Sequence, residues 1–367
     1  MRRLVILGCT GSIGTTCINS IRDKKLDIDI VGLVCSNSEE KIKKLADEFN
    51  SPYLLTYGDI YSSPLSSFLK ETNPDIVLNA ISGFDGLFAT KTVLENSIDL
   101  ALANKESVVA GASFIFHLAK EHNAKIIPVD SEHSAIYHLL QNREASSLII
   151  TASGGPFVDR EYLENVTLEE ALKHPTWKMG KKITIDSATL ANKGLEVIEA
   201  SYLFGFKGDD IEVTVHRQSI VHSLIRTKVG EVYAELSPPD MALAIMRAVS
   251  DKKIDLEDIV KPLSFKNLTL TFEEPKTDKF PLLKYAYDAL ALGFCGPIVY
   301  NASNECAVEA FIEKKISFIE ISKIVKATLE RKELISEKVD SYTSVYNLDR
   351  KTREIAKSII EAYCGRS

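Results

Sequence analysis

The 367-residue sequence predicts an α/β protein: a parallel sheet covered by helices, then a central α/β domain, then a C-terminal helical bundle. Three observations carry that expectation. Short β-branched runs alternate with amphipathic stretches over the first 150 residues, the pattern of successive crossover units. From Ser153 the texture changes to glycine- and proline-rich loops between strand-like pieces. Beyond Pro281 helical periodicity runs to the end. The expected divisions are 1–150, 151–262, a linker at 263–280, and 281–367.

Composition narrows the class. Forty-four Lys plus Arg oppose 51 Asp plus Glu, for a net charge of −7, and 45% of residues are hydrophobic. That is the profile of a globular protein, and an acidic chain without a long basic run excludes a dedicated nucleic-acid binder. No apolar run approaches the roughly 18 residues that span a bilayer. The apolar run after Met1-Arg2-Arg3 is broken by glycines too early for a signal peptide. Six cysteines with no CxxC pair sit in apolar segments and read as buried free thiols of a reducing compartment. The expectation is a cytoplasmic protein with no membrane or nucleic-acid partner.

Strands are expected at Leu4–Leu7, Ile28–Val34, Asp75–Ala80, Ile98–Leu102, Lys125–Val129 and Ser147–Thr151, with a helix over Glu39–Phe49. The central part adds Ile211–Val215 and Glu231–Glu235, suggesting a partly antiparallel sheet. Thr167-Leu168-Glu169-Glu170 reads as a capping box opening a short helix that ends before Pro175. Phe265 to Lys279 is polar and proline-bounded, hence an extended linker. Phe318, Ile321, Ile324, Val325, Thr328 and Leu329 recur at helical spacing and define one buried face.

Gly8-Cys9-Thr10-Gly11-Ser12-Ile13-Gly14 follows the first strand and opens a helix. In a first strand-turn-helix unit, such glycines bring backbone N–H groups up to a pyrophosphate at the helix N-terminus. The second strand ends in Cys35-Ser36-Asn37-Ser38, with no carboxylate for a ribose 2′-hydroxyl, which favours NADPH over NADH. The N-terminal domain is therefore expected to be Rossmann-like.

Asp130 and Glu132 flank Ser131 at the tip of an apolar strand. In an extended segment both point one way and converge on a divalent cation; a helix N-cap with a solvated Glu is the competing reading. In the run from Asp186 to Glu196, Ser187, Asn192 and Lys193 are the donor types that hold a phosphate, with Glu196 and Glu199 nearby on one helical face. An ordinary capped helix would also fit. His174-Pro175-Thr176-Trp177-Lys178-Met179-Gly180 carries the sole tryptophan on a polar loop, suiting either a lid or a surface-packed ring. Asn104-Lys105-Glu106-Ser107 follows a strand where doubly wound sheets bind ligands, and Lys105 could face a carbonyl or a carboxylate. His133, His138, His216 and His222 lack zinc spacing and read as structural.

GCTGSIG, ANKES (103–107), PVDSEH (128–133), ASGGPF (152–157), HPTWKMG (174–180) and DSATLANKGLEVIEA (186–200) occur in an order that resembles the 1-deoxy-D-xylulose 5-phosphate reductoisomerases along nearly the whole chain. The resemblance implies a homodimer acting on a phosphorylated ketose. It implies a divalent metal (Mg²⁺, Mn²⁺ or Co²⁺) on Asp130, Glu132 and Glu196, the last two also bordering the substrate. Ser153, Ser187, Asn192 and Lys193 would hold the phosphate beside His174, and Ser131 and Lys105 would meet substrate oxygens. Trp177 and Met179 would belong to a lid. For NADPH it implies Thr10, Gly11, Ser12 and Ile13, then Ser36 and Asn37, and finally Asn104, Glu106 and Gly180.

Two departures stand out: His216-Arg217-Gln218-Ser219 replaces the family's HPQS, and Asn37 stands where a basic residue is usual. The implied activity is rearrangement of the carbon skeleton, by cleavage and re-addition, followed by hydride transfer from NADPH to give 2-C-methyl-D-erythritol 4-phosphate. A semialdehyde dehydrogenase with a structural metal is one competing reading, and it lacks a catalytic Cys or His. A dinucleotide-sensing dimer is another, and it leaves the carboxylates and the Ser/Asn/Lys set idle.

Overall fold

The computed structural model describes residues 1–56, 64–177, 179–250 and 255–364. The chain divides into two compact units. The first comprises Met1–Val108, Phe114–His138 and Asp240–Phe265; the second comprises Val109–Ser113, Leu139–Pro239 and Lys266–Ser367.

In the first unit six strands form one parallel sheet: β1 (Arg2–Leu7), β2 (Ile28–Cys35), β3 (Tyr53–Leu55), β4 (Ile76–Asn79), β5 (Asp99–Leu102) and β6 (Ile126–Pro128). Their order, β3-β2-β1-β4-β5-β6, reverses direction between β1 and β4, and open α/β sheets bind ligands beyond the strand ends at such a point. Leu4 to Leu7 are fully buried, so β1 reads as a continuous apolar run and not as an alternation. Helices Ser12–Lys24, Glu39–Phe49, Pro64–Thr72 and Asp85–Glu95 connect the strands.

Two expected boundaries are corrected. The strand at 147–152, assigned by sequence to the first 150 residues, is β7 (Ser147–Ala152) of a second sheet, parallel to β8 (Ile211–Val215) and antiparallel to β9 (Val221–Arg226). A β-branched run announces a strand but not its partner, which long-range pairing decides. Residues 240–265, expected in the central domain as far as 262 and in the linker beyond, belong to the first unit. There Asp240 caps the helix Met241–Val249 by accepting from Ala242 N–H at 2.8 Å, and Ile245, Met246 and Val249 share a core with Cys9, Cys17 and Ile18.

With β10 (Val232–Leu236) the second sheet has the order β10-β9-β7-β8, partly antiparallel as expected. Strand β9 escaped the sequence reading because its buried positions include His222 and Ser223. The capping box at Thr167 and Glu170 is present, on the short helix Leu168–Ala171. The helix Phe318–Leu329 buries the six residues its periodicity named. The C-terminal helices were expected as a domain of their own, yet they share the second unit with the sheet. Gly194 in the helix Ala191–Phe204 shows the reason, since a Cβ there would lie 2.7 Å from the Ala286 methyl and 2.8 Å from the Tyr300 hydroxyl. Only a glycine lets these backbones come so close.

The 263–280 segment is largely irregular, but Glu273 pairs with Val215 as an isolated bridge. Arg217, in the proline position of the resemblance, reinforces that bridge. Its guanidinium donates to Glu273 at 2.6 and 2.8 Å and to Asp159 at 2.6 and 2.9 Å, holding both carboxyls below their usual range. Five cysteines are buried and unpaired, and burial pushes the Cys9 thiol up to about 12. Cys364 is exposed, against the expectation for all six.

Gly8 sits at the switch point with φ +79°, and a Cβ on it would lie 2.6 Å from the Ala80 carbonyl oxygen. Gly8→Ala is expected to lower unfolding free energy by about 1–3 kcal/mol, as a backbone strain of this kind costs, and to weaken NADPH binding. Urea unfolding and NADPH titration check both.

Candidate active site

The glycine turn expected to hold a nucleotide is built by backbone. Gly11 N–H donates to the Gly8 carbonyl at 3.0 Å and closes the turn. Gly11 is also the N-cap of Ser12–Lys24, with no side-chain cap and no acidic residue in the first turn. The N–H groups and positive dipole end of a 13-residue helix therefore suit a pyrophosphate. A Cβ on Gly14 would lie 2.5 Å from the Gly8 carbonyl oxygen, so this glycine seats the helix against the turn. Gly11 and Ser12 are exposed, Thr10 and Ile13 half-buried, and Ser36 and Asn37 follow β2 on the surface. Asn104 is employed structurally. It caps the helix Lys105–Glu121 by accepting from Ser107 N–H at 2.9 Å, and its amide donates to the Ile81 and Gly83 carbonyls and to Glu106 at 2.8, 2.9 and 2.8 Å.

The acidic triplet is displaced from its expected geometry. Strand β6 stops at Pro128 and the helix Ser131–Leu140 starts at once, so Glu132 lies in a helical first turn and not in an extended segment. The pairing of the carboxylates survives the change, with ligand oxygens of Asp130 and Glu132 within 4.8 Å. Lys105 forms an ion pair with Asp130, choosing a carboxylate as its neighbour, and Ser131 Oγ donates to Glu132 at 2.5 Å. Two adjacent carboxylates with hard oxygen atoms, balanced by one ammonium, form a donor set that fits Mg²⁺ or Mn²⁺.

The residues expected to hold a phosphate lie in the second unit, where Ser153, His174 and Ser187 are in contact. His174 Nδ1 accepts the backbone N–H groups of Thr176 at 3.1 Å and Trp177 at 2.8 Å. Burial lowers the His174 pKa to about 4, so the ring is neutral at pH 7 and its proton sits on Nε2. Nε2 lies 3.1 Å from Ser153 Oγ and 3.0 Å from Ser187 Oγ. The imidazole thus occupies serine lone pairs and leaves the hydroxyl hydrogens for an anion. Gly155, at φ +69°, is where the ASGGPF loop meets the helix Lys181–Ala188; a Cβ there would approach the Ser187 carbonyl oxygen to 2.8 Å.

Two residues further on, Leu190 at φ +60° turns the chain into Ala191–Phe204, a helix without a side-chain cap or an acidic first turn. Asn192 and Lys193 stand in that first turn, where the dipole favours an anion. Asn192 Nδ2 donates to Glu196 at 2.6 Å, and Lys193 pairs with Glu196, whose carboxylate is 1% exposed. Trp177 and Met179 are half-buried on the irregular loop before Gly180, while Lys178 lies outside the described residues. The structural reading of two histidines holds: His216 donates to the Thr271 carbonyl at 2.8 Å and stacks on Phe272, and His222 is 2.8 Å from Ser237 Oγ.

Models of 1-deoxy-D-xylulose 5-phosphate reductoisomerase match residues 4–61 and 60–112, and models of its C-terminal domains match 126–204 and 236–355. The reductoisomerase of Treponema denticola is 42% identical over 97% of this chain and 96% of its own length. This chain belongs to the 1-deoxy-D-xylulose 5-phosphate reductoisomerase family. The reductoisomerase of Caldanaerobacter subterraneus subsp. tengcongensis is also 42% identical, over 96% of this chain and 98% of its own. A DOX-P reductoisomerase crystallised with NADPH, fosmidomycin and magnesium superposes with TM-score 0.92 at 35% identity, covering 98% of each chain. The Zymomonas mobilis reductoisomerase with NADPH gives 0.87 at 33% identity, covering 98% of this chain and 99% of that one. Among the described residues no helix is long and apolar enough to cross a membrane.

Sequence reasoning missed two features of this candidate site, the His174 contacts to backbone and the bare helix start at Ala191. Both are backbone features that no residue pattern announces. His174 titrates near 4 in the folded protein and near 6.5 in the unfolded chain, so between these values the unfolded chain binds more protons and stability rises with pH. The stability advantage of the wild type over His174→Gln is therefore expected to shrink as pH falls from 6.5 towards 4, and urea unfolding across that window reads it.

Proposed function

We propose that this chain converts 1-deoxy-D-xylulose 5-phosphate to 2-C-methyl-D-erythritol 4-phosphate with NADPH and a divalent cation. The single observation that carries the reading is the neutral Ser153–His174–Ser187 set in the same unit as the bare helix start of Asn192 and Lys193. Hydroxyl donors, one ammonium and a helix dipole together describe a phosphate monoester receptor. Asp130, Glu132 and Glu196 would hold the cation, and the turn from Gly8 to Ile13, with Ser36 and Asn37, would hold NADPH. Bound there, the cation supplies Lewis-acid polarisation and NADPH the hydride.

The chain's own residues bind and orient. The phosphate contacts fix one end of the ketose and supply remote binding energy that aligns the reacting end. Lys105 and Ser131 present an ammonium and a hydroxyl to the ketose oxygens, and Lys105 balances the Asp130 charge. Trp177 and Met179, on the 174–180 loop, cover the substrate and exclude water. We assign the active form as a homodimer and its place as the cytoplasm, which the unpaired cysteines favour.

NADPH oxidation by the purified protein with 1-deoxy-D-xylulose 5-phosphate is expected with Mg²⁺ or Mn²⁺ and is expected to stop with EDTA. Turnover that EDTA leaves untouched contradicts the cation assignment. Asp130→Asn and Glu196→Gln are each expected to abolish turnover while NADPH titrates normally. Lys193→Ala is expected to raise KM about tenfold or more, the loss of a charge-assisted hydrogen bond.

A further inference from the structure

One buried carboxylate stands beside the phosphate set and has no part in it. Asp186 directly precedes Ser187 in the helix Lys181–Ala188 and is 1% exposed. Its oxygens are held from two sides. Lys182 Nζ, one turn earlier, lies 3.0 Å from Oδ2, and Asn304 Nδ2 donates to Oδ1 at 2.8 Å. Asn304 is fully buried in the helix Cys295–Ile312, 118 residues along the chain from Asp186.

A buried carboxylate is costly to keep, and an apolar pair would hold two helices together as well. A directional amide-to-carboxylate bond adds registry: it fixes the axial position and rotation of one helix against another, where apolar contacts slide. Registry matters here because Ser187 Oγ must stay 3.0 Å from His174 Nε2. The same C-terminal helix also reaches the other half of the cradle. Tyr300, one turn before Asn304, donates to the Leu282 carbonyl at 3.0 Å, and its hydroxyl would lie 2.8 Å from a Cβ on Gly194, the neighbour of Lys193.

We propose that Asn304 is a positioning residue for the phosphate subsite, acting through Asp186 to hold Ser187 in register with His174. This rests on the phosphate reading above, and it places the specificity of that subsite partly in the C-terminal helices.

The test uses the full-length enzyme, with inorganic phosphate as the probe competing against the phosphorylated ketose. Asn304→Leu keeps the volume and removes the donor. It is expected to raise KM and the inhibition constant of phosphate about tenfold, while the NADPH Kd stays within about twofold. The reversed pair, Asp186→Asn with Asn304→Asp, restores one amide-to-carboxylate bond and is expected to recover most of that loss. A merely structural role would lower Tm or kcat without shifting phosphate affinity. Where Asn304→Leu does not fold, Asn304→Ser, too short to reach Asp186, is read by the same criterion. A folded variant with unchanged phosphate inhibition overturns the role of Asn304. A wild type that phosphate does not inhibit overturns the subsite itself.

Discussion

His174 Nδ1 accepts two backbone N–H groups from the residues that follow it, and the second unit's chemistry depends on that arrangement. An imidazolium would turn a third N–H on those two donors, so the ring is kept neutral and its single proton is directed to Nε2. From that assignment the rest follows. Ser153 and Ser187 become acceptors toward the ring and donors outward, and an anion bound there would need no titrating partner. On the proposed reading the formal positive charge would come from Lys193, and the remainder of the attraction from the start of the helix Ala191–Phe204.

The first unit solves a different problem with the same economy of charge. A pyrophosphate would be met by N–H groups at an uncapped helix, and the turn that presents them exists because Gly8 takes a positive φ and Gly14 lacks a Cβ. Asp130 and Glu132, the carboxylates proposed for a cation, come together at the start of the helix Ser131–Leu140, with Lys105 answering part of their charge. On the proposed reading the first unit supplies the nucleotide turn, Asp130 and Glu132, and the second supplies Glu196 and the phosphate contacts.

Much of this was legible in the residues themselves. Five strands of the parallel sheet and the buried face of Phe318–Leu329 follow from periodicity, because a residue's burial repeats with its element's geometry. The chemical types at Asp130, Glu132, Ser187, Asn192 and Lys193 follow from what a cation and a phosphate require. Less legible was anything set by distant partners. Ser147–Ala152 looks like a sixth member of the first sheet until β8 and β9 claim it, and Met241–Val249 looks central until its apolar face meets Cys17 and Ile18. Alternation along an extended strand misplaces Glu132, because the strand ends four residues earlier, at Pro128. The Asn304–Asp186 bond spans 118 residues, and no local pattern could announce it.

Nitrogen-15 NMR of the His174 ring, followed across pH, tests the central claim most directly. The account predicts an unprotonated Nδ1 and a protonated Nε2 at pH 7, with a titration midpoint near 4 that added phosphate does not raise to the ordinary imidazole range. A ring protonated on Nδ1, or one that titrates near 6.5 in the folded protein, would contradict it.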